Sequence, residues 1–353
     1  MLRTWRQRVT FTDIVVWAIG LAIGLVVIIG TIATLRSGKY APSVWVDLTV
    51  RGLALGGVYA LIAMGYTLVY GILRMINFAH SEVFMSGPFT AVFLAIALAH
   101  SGFLDEHPLI SMTLILLLSV AVSMTIAILL ERIAYRPLRT APRLVPLITA
   151  IGASFFLQYT FRGLYGSGIQ AYPIPKVLQG SIHIGNIEIF STQIVAILGA
   201  LAMMLVLYGI VQWTKVGKAM RAVSEDKEVA ALMGIDVDRI ISLTFALGGA
   251  SAGVAGVLYA LLFPVVNFFM GFIPGIKAFT AAVLGGIGNV LGAFLGAIIL
   301  GLLESVGPNL FLDGLGIPTP GQLKDAIAFT ILVFILIFRP SGILGERLAQ
   351  AKA

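Results

Sequence analysis

The chain has 353 residues, 59% of them hydrophobic and 11% charged, with no cysteine, a net charge of +7 and a mean hydropathy of +1.02. A soluble domain of this length does not carry so much apolar sequence, so the class is an all-α polytopic membrane protein. Disulfides, cysteine-ligated iron–sulfur clusters and thiolate zinc sites are excluded. The basic residues lie in short segments between apolar runs, a signature of orientation in a bilayer rather than of nucleic-acid binding.

Arg3, Arg6 and Arg8 precede an apolar run, Ile14–Leu35, that is longer than the core of a signal peptide. It reads as a retained first span or uncleaved anchor within residues 1–45. Further spans are expected at about 50–72, 83–100, 109–131, 144–161, 191–213, 240–262 and 323–339, eight in all, each sized for a hydrocarbon core of ~30 Å. Gly52, Gly56, Gly57, Gly65 and Gly71 punctuate the second span and suit close helix packing. A polar knot from Leu73 to Glu82 follows, with Asn77, His80 and Glu82 as candidates for the solute path, because ionisable groups near a span are functional by default. If that stretch is re-entrant, Asn77 and His80 project together; the plainer reading seats His80 and Glu82 at the cytoplasmic interface.

Glu131-Arg132 and Tyr135-Arg136-Pro137-Leu138-Arg139 open a basic segment that runs to Arg143. It suits contact with anionic lipid or a second surface for a partner. Residues 162–190 are rich in glycine and proline and then alternate over Ser181–Phe190, as a short β-hairpin does. Thr214–Arg239 is a polar excursion with five basic residues. Read as one helix, it puts Ala219, Val223, Ala230 and Gly234 on a stripe about 60° wide. Arg221, Glu225, Glu228 and Leu232 fall opposite, free to meet a partner.

Residues 276–303 break at Gly285-Gly286-Ile287-Gly288-Asn289. Each half is about 18–22 Å long at helical rise, too short to span, so a re-entrant hairpin entering from outside is expected, its glycines Gly285, Gly286 and Gly288 beside the solute path. A flexible loop between two tilted spans is the alternative. Lys277 is expected to snorkel to water, with Glu304 and Asp325 at span ends. With the N-terminus inside, inner segments hold sixteen Lys and Arg and outer segments five, placing both termini in the cytoplasm. There is no phosphate-binding loop, no zinc-protease motif and no nucleophile elbow, so neither catalytic residues nor a cofactor or metal centre is expected. Energy from ATP would have to enter through another chain.

Taken together, GGVYALIAMGYTLVYGILRMINFAHSEVFMSG (56–87), ERIAYRPLR (131–139), GKAMRAVSEDKEVAALMGIDVDRIISLTF (217–245), GFIPGIKAFTAAVLGGIGNVLGAFLGAIILG (271–301) and RPSGILG (339–345) resemble the LivH-type permease of branched-chain amino acid ABC importers. The similarity covers most of residues 46–346, the expected permease core. It implies a bacterial inner-membrane complex of this permease, a LivM-like second permease, two ATP-binding subunits and an external substrate-binding protein. The family's docking loop carries over to Glu228, Ala230, Ala231 and Gly234, with Glu225 beside them, within a coupling loop at 214–239. The motif is interrupted here by Val229, and Ser81 stands where the family commonly has glycine. Related permeases also handle urea and short amides; a stand-alone carrier or channel and a membrane-embedded enzyme are the rival classes.

Overall fold

A computed structural model describes residues 11–139, 141–142, 144–185, 187–339 and 341–344. Arg3, Arg6, Arg8, Arg143, Arg347 and Lys352, which enter the charge count, lie outside them. The helices are α1 (Phe11–Ser37), α2 (Pro42–Leu73), α3 (His80–His100), α4 (Phe103–Glu106), α5 (Pro108–Leu129), α6 (Leu144–Tyr165), α7 (Ser191–Trp213), α8 (Lys215–Glu225), α9 (Lys227–Leu232), α10 (Val237–Leu262), α11 (Phe272–Gly285), α12 (Val290–Gly307) and α13 (Lys324–Phe338). Two antiparallel strand pairs are added. β1 (Gln170–Ala171) pairs with β4 (Val265–Val266), and β2 (Ser181–Ile184) pairs with β3 (Ile187–Phe190), which is the hairpin that the alternation predicted.

Among the described residues nine helical runs are long and apolar enough to cross a bilayer, and α11, with 14 residues, is a shorter tenth. One expectation is corrected here. The second limb of the glycine-broken hairpin is not short: it begins at Val290 and continues through π and 3₁₀ turns to Leu315, 26 residues in all. Its glycines do not break it because they are contact points. A Cβ on Gly301 would lie 2.4 Å from the Gly56 Cα, and one on Gly56 would lie 2.9 Å from the Ala297 carbonyl oxygen. Small residues on both α2 and α12 therefore let two backbones touch, which is how helices gain dispersion contact where lipid offers no hydrophobic contrast.

Helix α2 is the axis of the bundle. Its turns from Gly56 to Val69 are buried on every side, with α3, α10, α11 and α12 packed around it. Buried serines stitch these helices by donating across to backbone carbonyls: Ser251 to Leu61 at 3.1 Å, Ser119 to Gly253 at 2.9 Å and Ser123 to Val83 at 2.8 Å. Helices α1 and α13 lie at the periphery, with Trp17, Leu21, Ile28, Val333 and Leu336 facing outward as lipid-facing side chains do. The anchor is nonetheless docked: Lys39 pairs with Asp313 at 2.7 Å, and Gly30 lies against the Phe311 carbonyl.

Lys277 is a second correction. Its ammonium does not reach for water; it pairs with Glu304 on α12 and Asp325 on α13, each at 2.6 Å, and its side chain is 3% exposed. Glu304 is likewise buried rather than interfacial. The break at Gly286–Asn289 folds α11 back along α12, bringing the two charges together; a lysine with a carboxylate in reach has no reason to snorkel. Helices α11, α12 and α13 are thereby pinned at one buried point.

Candidate functional site

Helix α2 ends at Arg74, which takes a left-handed φ of 55° and donates its N–H to the Tyr70 carbonyl at 2.8 Å. The chain then turns within six residues and re-enters the bundle as α3, whose first residue, His80, is 2% exposed. Arg74 stays exposed, but Asn77, His80 and Glu82 are buried inside the protein rather than seated at its surface. Asn77 accepts a hydrogen bond from the Tyr135 hydroxyl at 2.6 Å, and its Nδ2 has no partner. His80 stands edge-on to Tyr66 with centroids 5.0 Å apart and fills the space left by Gly65, where a Cβ would lie 2.1 Å from Nε2; that nitrogen is unpartnered too.

Glu82, fully buried, accepts at Oε1 from Gln158 (2.7 Å), Ser154 (3.1 Å) and Ser81 (3.3 Å), while Oε2 has none. Buried polar atoms are almost always paired. Among the described residues Asn77 Nδ2, His80 Nε2 and Glu82 Oε2 are thus three orphans within six positions, at the mouth of a re-entrant turn, and they mark this as the strongest candidate site in the bundle. Asn77 and His80 share a turn, His80 N–H donating to the Asn77 carbonyl at 3.1 Å. Their side chains diverge, however, one toward Tyr135 and the other into α2. Ser81 lies in regular helix, and Gly271 and Gly275 make room for it: a Cβ on Gly275 would come within 2.4 Å of the Ser81 Cβ.

Gly285, Gly286 and Gly288 form a separate feature. Gly286 and Gly288 have φ of 104°, a conformation open essentially to glycine. The last carbonyls of α11 are satisfied from the far end of the chain: Ile343 N–H donates to the Leu284 carbonyl at 2.8 Å and Leu344 N–H to that of Gly285 at 2.9 Å. Asn289 caps α12 by accepting from Gly292 N–H at 2.9 Å. Phe279 links the two features, lying 6.1 Å from Tyr66 and 5.7 Å from Phe78 between ring centroids.

The polar excursion is two helices rather than one. Asp226 ends α8 and caps α9, its carboxylate accepting from Glu228 N–H (2.8 Å) and Val229 N–H (3.0 Å). The expected stripe is only partly kept across the break. Val223 and Ala230 are buried and Ala219 is half-buried, but Gly234 is exposed together with Arg221, Glu225, Glu228, Ala231 and Leu232, because the chain breaks at Asp226 and leaves the helix at Gly234. Gly234, with φ of 82°, closes α9. Val229, Leu232 and Met233 are 54%, 86% and 77% exposed, an apolar tip rimmed by Glu225 and Glu228.

Beneath this tip the segment Leu130–Tyr135 is a π-helix continuing α5, not a free loop. Glu131 is fully buried and binds Arg139 and, at 2.5 Å, the Ser242 hydroxyl. Arg136 and Arg139 both engage Asp238 in the first turn of α10. These arginines are thus partly committed inside the protein. Charge counting alone missed this, as it missed Tyr135 and Ser154; Gln158, the one amide in an apolar run, was a visible signal.

The model of a family described as branched-chain amino acid transport system, permease component, matches residues 48–336. The chain is 44% identical over 302 residues to the high-affinity branched-chain amino acid transport system permease protein BraD of Pseudomonas aeruginosa, covering 84% of this chain and 94% of that one. It is 41% identical over 301 residues, with the same coverage, to the corresponding protein LivH of Escherichia coli. Among solved structures, PsaBC from Streptococcus pneumoniae in complex with Fab aligns at a TM-score of 0.43 and 13% identity, over 86% of this chain and 94% of that one.

Proposed function

This chain belongs to the branched-chain amino acid transport permease family, and we infer that it is the membrane-spanning permease subunit of an ATP-binding-cassette importer for branched-chain or other neutral amino acids. It is a transport subunit and not itself an enzyme. The observation that carries the substrate class is the 44% identity to a branched-chain amino acid permease over 94% of that protein's length, which favours this class over urea and short amides. In this reading solute arrives from an external binding protein and passes between this chain and a LivM-like partner. Two separate ATP-binding subunits supply the energy at residues 214–239. The chain sits in the bacterial inner membrane, both termini in the cytoplasm.

Three features support that division of labour. The apolar tip of α9 offers Val229, Leu232 and Met233 to a partner, with Glu225, Glu228, Ala231 and Gly234 around them and Ala230 anchoring the helix below. Asp238 and Ser242, directly after it, are tied through Arg139 and Glu131 to the end of α5. A push on α9 therefore reaches two spans at once. Asn77, in turn, hangs on Tyr135 at the end of that same π-helix, so the path candidates Asn77, His80 and Glu82 are mechanically joined to the docking surface.

Glu228→Arg, at an exposed position, is expected to abolish co-purification of the ATP-binding subunits while membrane insertion is kept; undiminished co-purification rejects the docking role. A buried acid such as Glu82 is also what an ion-coupled carrier would use. Uptake by proteoliposomes of the full complex, with ion gradients collapsed, separates the two: import with ATP alone supports the present reading, and dependence on a gradient rejects it. The cysteine-free chain permits a direct test of sidedness. A membrane-impermeant thiol reagent on intact spheroplasts should modify Val177→Cys and spare Leu232→Cys; the reverse pattern inverts the topology.

A further inference from the structure

Where α2, α10, α12 and the start of α13 meet lies a cavity of about 350 Å³ lined by buried Glu304, by the exposed Arg51 and Lys324, and by the apolar side chains of Leu55, Leu262 and Phe263. We propose that this cavity is a docking subsite for a zwitterionic amino acid with an apolar side chain, Glu304 receiving the ammonium and Arg51 and Lys324 the carboxylate. The proposal rests on the amino-acid reading above and adds to it a place and three named groups.

Charge and hydrogen bonding at Glu304 carry the argument. In the triad of Lys277, Glu304 and Asp325, two carboxylates share one ammonium, and while Asp325 is 43% exposed and can be served by water, Glu304 is buried and depends on that shared ammonium. Glu304 spends Oε1 on Lys277 and on the Tyr59 hydroxyl (3.4 Å), while Oε2 is buried without a partner. An unpaired carboxylate oxygen in such a place is costly and is relieved by a cationic donor. At the rim Arg51 gives only its Nε to Asp47, at 2.9 Å, and Lys324 forms no ion pair among the described residues. Both remain available to an anion, Arg51 through the paired donors that match a carboxylate.

A buried anionic group and two rim cations lining one cavity with Leu55, Leu262 and Phe263 fit the adjacent ammonium and carboxylate and the apolar side chain of an α-amino acid, and disfavour either a simple amine or a fatty acid. Such a site need not bind tightly. A receptor outside does the selecting, and a weak subsite at the entrance orients the solute without retaining it.

Saturation-transfer NMR on the purified complex in nanodiscs, without its external binding protein, tests the proposal with leucine, leucinamide and 4-methylpentanoate as probes. Leucine should give saturable transfer, and each analogue, lacking one charge, should bind more weakly. Arg51→Gln, a surface change that spares the buried triad, should weaken leucine by about fivefold, the value of one partly exposed charge contact. Glu304→Gln should reduce leucine binding further yet leave 4-methylpentanoate unaffected, a pattern that misfolding cannot produce. Equal binding of all three probes, or unaltered leucine binding in Arg51→Gln and Glu304→Gln, overturns the subsite. ATP-driven leucine import by the same wild-type complex is read in parallel: import without this binding pattern discards the subsite and keeps the transport reading, whereas no import of any neutral amino acid discards the transport reading itself.

Discussion

Replacing Lys277 with methionine keeps the length and apolar character of the stem and removes the only ammonium in the triad. Glu304, 2% exposed at its side chain, would then be buried with no counter-charge, and breaking a buried pair from one side costs about 3–5 kcal/mol. Asp325 is 43% exposed and can turn to water, so Asp325→Asn should cost only about 0.2–1 kcal/mol. The double variant Lys277→Met/Glu304→Gln replaces both charges with neutral groups of similar shape. It should recover most of the loss, giving a coupling of roughly 2 kcal/mol or more, inside the range for residues in one network. Thermal unfolding of the purified subunit in detergent, followed by the loss of its monodisperse size-exclusion peak, reads the parent, the three single variants Lys277→Met, Glu304→Gln and Asp325→Asn, and the double variant. If Lys277→Met is as stable as the parent, or the double variant is no better than the single, the pair does not hold α11 to α12.

Gly301→Leu should separate α2 from α12, because even a Cβ there would sit 2.4 Å from the Gly56 Cα. Overpacking of this kind costs about 1–3 kcal/mol or more, and a normal unfolding midpoint would show that the two helices do not touch. At the surface, Lys176 donates its backbone N–H to Asp105 at 3.0 Å and pairs with it through its ammonium, which together hold the Asp105 carboxyl below its ordinary value. A depressed carboxyl contributes stability above the unfolded pKa, about 3.9, and loses it as pH falls through the lower folded value. Protection from hydrogen exchange across residues 170–180, corrected for the intrinsic rate at each pH, should therefore fall on acidification below that point. Asp105→Asn should be fast throughout, and an unchanged pH profile in that variant would remove Asp105 as the cause.

Segments whose structure depends on their own neighbours were legible beforehand. The alternation of Ser181–Phe190 became a hairpin, the glycines at 285–288 became a break, and the polar run at 214–239 became surface helices with Arg221, Glu225, Glu228 and Leu232 exposed as expected, though Gly234, expected on the packed stripe, is exposed too. Features that need a partner far along the chain were not. Nothing near Lys277 announces Glu304, twenty-seven positions on, and a charge next to an apolar run reads equally as snorkelling or as buried. Glu131 was hidden for the same reason: its partners Arg139 and Ser242 meet it only because α10 packs on α5. The length of α12 was misjudged because glycine weakens an isolated helix, while here Gly292, Gly296 and Gly301 each abut another backbone. At the candidate site the sequence supplied Asn77, His80 and Glu82 but not the depth at which they lie.

The hydrogen bonds from Ile343 and Leu344 to the end of α11 tie these residues to a turn some fifty-five positions earlier, and Asn289 returns the tie by donating to the Leu344 carbonyl at 3.1 Å. Residues 343–344, just beyond α13, thus act as a clasp on the break between α11 and α12. During synthesis the broken hairpin must wait, half-stabilised, until residues 343–344 have been made, so a change that removes those two residues would harm maturation of a turn far earlier in the chain. For the same reason an affinity handle belongs well beyond Leu344, on a spacer, where traction on a resin cannot pry that clasp open.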